Sequence, residues 1–249
     1  MTNNMFFIAN WKMFGDFKSV NSIKKVIKFS KNKKYKNSKI IYCPPYTLID
    51  KFLKITKNSK ISIGAQNCHH SQKPGPFTGS INVDLIKSIG AKYVIIGHSE
   101  NRVLGETNHI INLKIKSAIK KKLKIVFCIG ETLKEKRNNK TTLVLKSQII
   151  RGLKNVKKSN NIIFAYEPVW SIGTGVVPKN NDLKLQINLI KNFISKFWRL
   201  SNPKVVYGGS VNSKNINELR KISSINGFLI GGASQKAKNF IDIIKKTIN

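Results

Sequence analysis

Residues 162–178, IIFAYEPVWSIGTGVVP, place a carboxylate between an apolar strand and a glycine-containing loop. The run from Ile162 to Tyr166 is short and rich in β-branched and aromatic residues, which predicts a strand buried on both faces. Glu167 follows this run directly. Because an ionised carboxylate without partners is costly to bury, Glu167 is a candidate for a residue retained for chemistry.

The residues after Glu167 are typical of a mobile lid. A proline restricts the backbone where the loop begins, two apolar residues can anchor it, and the glycines that follow can expose backbone N–H groups. A carboxylate beside such a loop is suited to placing a base next to an anion and covering both. The predicted lid comprises Pro168, Val169, Trp170, Ser171, Ile172, Gly173, Thr174 and Gly175.

The composition is strongly basic, with 46 Lys and Arg residues against 11 Asp and Glu residues and a formal charge of +35. Such a balance ordinarily suggests nucleic acid or an anionic membrane as a partner. Here only five of the basic residues are Arg, and the lysines are scattered through nearly every polar segment. We therefore expect nonspecific adhesion to polyanions at low salt, and no specific nucleic-acid partner.

The three cysteines, Cys43, Cys68 and Cys128, are far apart and form no Cys-x-x-Cys pair, so neither a disulfide framework nor a zinc site is indicated. The apolar run from Met5 to Asn10 is too short for a signal sequence or a membrane span. These features predict a cytoplasmic protein without a membrane partner.

Short apolar runs alternate with amphipathic segments along the whole chain. Helical spacing is clearest from Leu183 to Phe197. Such alternation requires parallel strands with right-handed crossovers, in either an open doubly wound sheet or a closed barrel. The predicted strands are Met5 to Ala9, Lys39 to Cys43, Ile61 to Ala65, Tyr93 to Ile96, Lys124 to Ile129, Ile162 to Tyr166, Lys204 to Tyr207 and Gly227 to Ile230.

Periodicity does not distinguish the two sheets, but the strand count and the length of 249 residues favour the barrel. We predict one α/β domain, a (β/α)8 barrel over residues 1–249. Closure would bring together Asn10, Lys12, His98, Glu100, Cys128, Glu167 and the glycine turns after the last two strands. Each has an ordinary explanation when taken alone, but their joint position after strands indicates an active site.

Eight segments in order resemble segments of the triosephosphate isomerase family: FFIANWKM, GAQN, GPFTG, YVIIGHSE, CIGE, AYEPVWSIGTG, VVYGGSVN and NGFLIGGAS. The resemblance implies a TIM barrel that interconverts dihydroxyacetone phosphate and D-glyceraldehyde 3-phosphate through an enediolate, in glycolysis and gluconeogenesis. It also implies that neither a metal nor an organic cofactor takes part.

The resemblance implies a role for each catalytic position. Glu167 is expected to move a proton between two substrate carbons, and His98 to act as a neutral electrophile at the substrate oxygens. Lys12 and Asn10 would stabilise negative charge there, while Glu100 corresponds to a glutamate of the family's site.

The substrate's phosphate is expected to bind backbone N–H groups, with Asn10 and Lys12 completing the substrate-binding set. Tyr207 and Ser210 resemble the residues that hold the closed lid. The expected phosphate donors are Gly173, Ser210, Gly231 and Gly232.

The family is generally a homodimer, and the resemblance puts Thr78 at the tip of the loop that reaches the partner. Ser80 and Asn101 stand where the family commonly has Glu and Arg, so both members of a charged pair are missing. Because both partners are missing, neither leaves an unpaired charge in the contact, and the free energy of association changes little. We expect a dimer that persists and binds no more tightly than is usual in the family. Ser171 for Ala and Asn226 for Asp are milder departures.

Two alternatives remain at this stage. Another phosphate-binding barrel enzyme would need a different base or a Schiff-base lysine at a strand end. A polyanion-binding protein on a decayed barrel would have lost Lys12, His98 or Glu167, and all three are present.

Overall fold

The computed structural model describes residues 4–249, so residues 1–3 of the predicted domain lie outside the described part. Eight strands run parallel in it: β1 Met5–Asn10, β2 Ser38–Cys43, β3 Ser62–Ala65, β4 Tyr93–Ile96, β5 Lys124–Ile129, β6 Ile162–Tyr166, β7 Lys204–Tyr207 and β8 Gly227–Ile230. Each pairs with the next, and β8 pairs with β1 to close the barrel. The predicted fold class is therefore confirmed.

Strand side chains are buried alternately inside and outside the barrel. In β5, Val126 and Cys128 belong to the cluster that fills the interior, whereas Ile125, Phe127 and Ile129 belong to the larger cluster that includes residues of the helices. Burial on both faces explains why the strands read as continuous apolar runs without alternation.

The helices lie between successive strands in the chain and supply the outer part of the core. Their amphipathic faces bury residues such as Ile187 and Ile190. Within residues 4–249 the α-helices are α1 Ile23–Ser30, α2 Ile49–Thr56, α3 Val83–Ser88, α4 Ser99–Val103, α5 Asn108–Lys120, α6 Leu133–Arg137, α7 Thr141–Gly152, α8 Asn180–Phe197, α9 Ile216–Leu219 and α10 Ala237–Ile248.

Side-chain caps fix where several helices begin. The Asn82 side chain accepts a hydrogen bond from the backbone N–H of Leu85 at 3.0 Å at the start of α3. Thr132 and Glu135 form a reciprocal capping box at the start of α6. Such caps satisfy N–H groups that have no partner within the helix, and each is worth about 1 kcal/mol.

The structure differs from the sequence-based expectation in small helical elements. The short helices α4 and α6 were not expected, because five residues are too few to display a helical period. A 3-10 turn at Ser19–Ser22 directly precedes α1. Asp16 and Ser19 exchange hydrogen bonds of 2.7 Å in front of this turn and hold the preceding chain out of helical conformation.

A buried ion pair connects α5 with the loop after α4. The side chains of Lys114 and Glu106 are each only 7% exposed and contact each other directly. Lys114 Nζ also donates to Asn67 Oδ1 at 2.9 Å. Both charged groups are shielded from water, so their mutual attraction is needed to offset the hydration that each has lost.

Glu106→Gln should therefore lower the free energy of unfolding by about 3–5 kcal/mol, because it leaves the Lys114 ammonium buried without its carboxylate. Urea denaturation would measure the loss. The double variant Glu106→Gln/Lys114→Met should lose less than the single one, and Asp50→Asn, in a pair whose side chains are 66–75% exposed, should change little. If Glu106→Gln alone lowers the free energy of unfolding no more than the double variant does, the explanation by an unpaired buried ammonium is wrong.

Candidate active site

The predicted site residues meet at the carboxyl ends of the strands. Asn10, Lys12, His98 and Glu167 line a cavity of about 460 Å³, together with Gly173, Ser210, Gly231 and Gly232. Glu100 lies in an adjoining cavity of about 760 Å³ that Asn10, Lys12 and His98 also line. Residues up to about 220 positions apart in sequence are thus brought to one place by barrel closure.

Glu167 directly follows β6 and its side chain is buried. Its side chain is 3% exposed, and Oε1 lies 3.4 Å from His98 Nε2. Burial raises the pKa of the carboxyl above its ordinary value, and the nearby His98, Cys128 thiol and Lys12 lower it in part. Oε2 is buried and makes no hydrogen bond of ordinary geometry with the described residues. A carboxylate in this state is a stronger base than one in water.

Two glycines make room for Glu167. A Cβ atom at position 130 would lie 1.8 Å from the Glu167 carbonyl oxygen, and one at position 208 would lie 2.7 Å from its Cγ. Gly130 follows β5 and Gly208 follows β7, the two strands that flank β6. Gly130 therefore permits the close approach of the Glu167 backbone, and Gly208 leaves the room that the glutamate side chain occupies.

His98 is held by the start of α4. Its Nδ1 accepts a hydrogen bond from the backbone N–H of Glu100 at 3.2 Å and serves as the helix N-cap. An acceptor nitrogen carries no proton, so this bond assigns the ring hydrogen of the neutral imidazole to Nε2. The Nε2–H group is therefore the one on the side of Glu167.

Lys12 has a constrained backbone. Its φ of 54° lies in the left-handed region, which is unfavourable for a residue with a side chain. Two bonds hold it there: its N–H donates to Asn10 Oδ1 at 3.1 Å, and its carbonyl accepts from Gln66 Nε2 at 2.8 Å. The Nζ atom pairs with Glu100 Oε1 at 2.5 Å. Strain of this kind is characteristic of functional sites.

The start of the lid is fastened to a buried acid that the sequence analysis did not assign to the site. Glu131 is 1% exposed, and its Oε1 accepts a bond from Trp170 Nε1 at 2.9 Å. The Tyr166 hydroxyl lies 3.3 Å from both carboxylate oxygens, and Lys136 Nζ is 3.5 Å from the centre of the Trp170 ring. Burial raises the pKa of Glu131.

Gln66 and Glu131 are the site residues that sequence reasoning overlooked. Glu131 follows β5 just as Glu167 follows β6, so the same pattern of an acid near a strand end was present. Gln66 directly follows β3, but an amide carries no charge whose burial would distinguish it from an ordinary solvated strand end. Only the fold shows that its amide bridges the Lys12 and Cys43 carbonyls.

Residues 4–249 lack two features that would change the interpretation of the site. No group of three or more His, Cys, Asp or Glu side chains is arranged to hold a metal ion. No helix has the length and apolarity needed to cross a membrane.

Comparison with known proteins decides the family. The family model described as triosephosphate isomerase matches residues 5–247. The chain belongs to the triosephosphate isomerase family. It is therefore an isomerase that interconverts dihydroxyacetone phosphate and D-glyceraldehyde 3-phosphate, a step of glycolysis, and the alternative of a different phosphate-binding barrel enzyme is excluded.

Individual relatives agree over nearly full length. Triosephosphate isomerase of Dictyoglomus thermophilum is 41% identical over 95% of this chain and 97% of its own. That of Ehrlichia chaffeensis is 34% identical over 99% and 98%. The crystal structure of triosephosphate isomerase from Bartonella henselae superposes with a TM-score of 0.89 at 34% identity and covers 98% of both chains. The predicted family, fold and reaction are confirmed.

Replacing Glu167 by Gln should raise the thermal stability of the protein at pH 8. The folded protein holds this carboxyl at a raised pKa, so its ionised form destabilises the fold. Stability from this group is present below the unfolded pKa near 4.5 and is lost as the pH rises through the folded pKa. The gain in melting temperature should therefore shrink as the pH falls toward 4.5.

Glu218→Gln is the matched control, because this carboxylate is 60% exposed. It should leave the melting temperature nearly unchanged at both pH values. A Glu167→Gln variant that is less stable than the wild type at pH 8 would contradict the conclusion that the buried, ionised carboxylate destabilises the fold.

Proposed function

We propose that Glu167 and His98 carry out the proton transfers of the isomerisation. The supporting observation is their geometry: a buried carboxylate with a raised pKa faces the Nε2–H group of a neutral imidazole at 3.4 Å, in one cavity. A substrate bound between them would present its acidic carbon to the base and its oxygens to the imidazole.

The proposed reaction balances without another reactant. Glu167 takes the proton from the carbon next to the carbonyl, and the electron pair moves onto the carbonyl oxygen to form an enediolate. The Nε2–H of His98 donates to the oxygens where the negative charge develops. His98 gives its Nε2 proton to the former carbonyl oxygen and takes up the hydroxyl proton from the oxygen on the neighbouring carbon, so the ring ends neutral. Glu167 returns its proton to the former carbonyl carbon, and the new carbonyl forms on the carbon that first lost a proton.

Lys12 and Asn10 are proposed to stabilise the enediolate electrostatically. The strained backbone at Lys12 and its pair with Glu100 hold the ammonium in the cavity before substrate arrives. Asn10 is 5% exposed, and its Oδ1 is engaged by the Lys12 N–H, so its Nδ2 is the group left to donate to substrate. Donors fixed in advance need no reorganisation when charge develops.

The phosphate is proposed to bind where the lid, the turn after β7 and the turn after β8 converge. Gly173, Ser210, Gly231 and Gly232 line the same cavity as the catalytic pair. The Cβ position of Gly231 lies 3.5 Å from Lys12 Cε, so the ammonium-bearing side chain runs beside this turn. Backbone N–H groups near a lysine suit a phosphate dianion.

We also propose a homodimer, in which the loop carrying Thr78 enters the partner's 760 Å³ cavity. Met13 and Leu104 line this cavity and are 95% and 85% exposed, which is unusual for such large apolar side chains in a monomer. Thr78 lies in an exposed turn of the loop that follows β3. Ser80 and Asn101 line the same cavity, consistent with the paired loss of charges.

We also propose that the chain forms a single domain and that the protein is cytoplasmic. All eight strands share one closed sheet, and one core cluster takes residues from β1 and from α10. The three cysteines are buried and free, as a reducing compartment allows.

Glu167→Gln should lower kcat for glyceraldehyde 3-phosphate by about 10²- to 10⁴-fold, because the amide cannot accept the proton. The assay needs moderate salt to suppress nonspecific binding of anions to the basic surface. Glu218→Gln should keep the activity of the wild type. An inactive wild type that is folded would favour the alternative of a polyanion-binding protein on this scaffold.

Leu104→Asp should convert the proposed dimer to monomer at micromolar concentration, because it buries a charge in the interface without altering a buried site of the monomer. Sedimentation equilibrium would show the change in mass. Leu143→Asp places the same charge at a position that is 66% exposed in α7, and it should leave the dimer intact. A wild-type protein that sediments as a monomer would refute the proposal.

A further inference from the structure

The hydroxyl of Ser171 lies at the centre of a buried hydrogen-bond cluster under the lid. Ser171 is 0% exposed. Its Oγ lies 2.6 Å from the carbonyl oxygen of Val176, 2.9 Å from the Tyr207 hydroxyl and 3.3 Å from the backbone nitrogen of Ser210. One oxygen thus connects the lid at Ser171 with Val176, which follows the lid, and with the turn after β7.

The direction of each bond follows from counting hydrogens. A serine hydroxyl has one hydrogen and two acceptor positions. A carbonyl oxygen only accepts, so Ser171 donates its hydrogen to Val176. The Tyr207 hydroxyl must then donate to Ser171 Oγ, and the Ser210 N–H donates to the same oxygen. Ser171 Oγ is therefore fully satisfied in this conformation.

The neighbouring backbone is shaped around this cluster. A Cβ atom at position 209 would lie 2.6 Å from Ser171 Oγ and 2.2 Å from the Tyr207 hydroxyl oxygen. Gly209 therefore allows the turn to approach the two hydroxyls. Tyr207 is completely buried, and burial raises its pKa to about 12 although the Ser171 hydroxyl and the Ser210 N–H act to lower it.

We propose that Ser171 is a positioning residue whose hydroxyl oxygen competes with the substrate's phosphate for the Ser210 N–H. This inference rests on the proposed function only in taking that N–H as a phosphate donor. A backbone N–H donates one good hydrogen bond, so the phosphate gains this donor only when Ser171 releases it. Ser171 thus lowers phosphate affinity and links phosphate arrival to the position of the lid.

The strengths of the two competing bonds favour release on binding. The bond from Ser210 to Ser171 is long at 3.3 Å and joins neutral groups. A bond from the same N–H to a phosphate dianion is charge-assisted and roughly twice as strong as a neutral one. After release, Ser171 Oγ keeps its bonds to the Tyr207 hydroxyl and the Val176 carbonyl.

Ser171→Ala removes the competing acceptor. In this variant, the affinity for inorganic phosphate should rise by about three- to tenfold, the range expected for one neutral hydrogen bond. KM for glyceraldehyde 3-phosphate should fall in parallel, and kcat should change less than KM, because the phosphate is bound in both ground and transition states. Calorimetric titration with inorganic phosphate measures the affinity without requiring turnover.

A control variant separates competition for the Ser210 N–H from the loss of any buried serine hydroxyl. Ser117→Ala removes another buried serine hydroxyl, in α5 and outside the cavity, and should leave phosphate affinity unchanged.

Phosphate affinity in Ser171→Ala equal to that of the wild type would overturn the inference, as would an equal gain in Ser117→Ala. An inactive wild type would instead refute the proposed function, while tighter phosphate binding by Ser171→Ala would still support competition for the Ser210 N–H. A change in melting temperature alone, with phosphate affinity and KM unaltered, would assign Ser171 a purely structural role and overturn the proposal.

Discussion

Closure of the sheet between β8 and β1 is the constraint on which the site depends. Phe6 pairs with Gly227 in this contact, and a Cβ atom at position 227 would lie 2.0 Å from the Phe6 carbonyl oxygen. Gly227 also has a φ of 147°, which a residue with a side chain rarely adopts. Without this contact the turn after β8 would not face Lys12, and the cavity would lose the wall formed by Gly231 and Gly232.

The acidic residues are few, and most of them either form an ion pair or are buried. Six of the eleven form ion pairs with lysines, and Glu131 and Glu167 are buried around the lid. Most of the excess positive charge is therefore left on the surface without neutralisation. Such a field attracts dianionic substrates and other polyanions alike at low ionic strength, and salt screens both effects.

The lid is held at its two ends by different chemistry. At its start, Trp170 donates to the buried Glu131 carboxylate. Directly after its last residue, the Val176 carbonyl accepts the hydrogen of Ser171, whose oxygen also receives bonds from the β7 side. Gly173, between these contacts, has no atom within 4 Å of its Cβ position, and its φ is 72°. Contacts on both sides of an unpacked glycine support the proposed role of this loop as a lid.

The sequence was sufficient to predict the strands and the fold class, and it singled out candidate site residues at the strand ends. Buried parallel strands must be apolar on both faces, so they are visible as runs such as Ile162 to Tyr166. Polar residues at the ends of these runs stand out for the same reason, which is why Glu167 and His98 were identifiable. The short helices α4 and α6 were not, because five residues do not establish a period.

Only the tertiary structure decided how these residues act on one another. Strand periodicity is the same in an open sheet and a closed one, so barrel closure, the approach of His98 to Glu167 and the room provided by Gly130 and Gly208 could not be inferred from it. The bonds of Ser171 likewise join segments about 40 residues apart. Local sequence encodes burial and backbone preference, whereas a pKa or a shared hydrogen-bond donor depends on distances that exist only after folding.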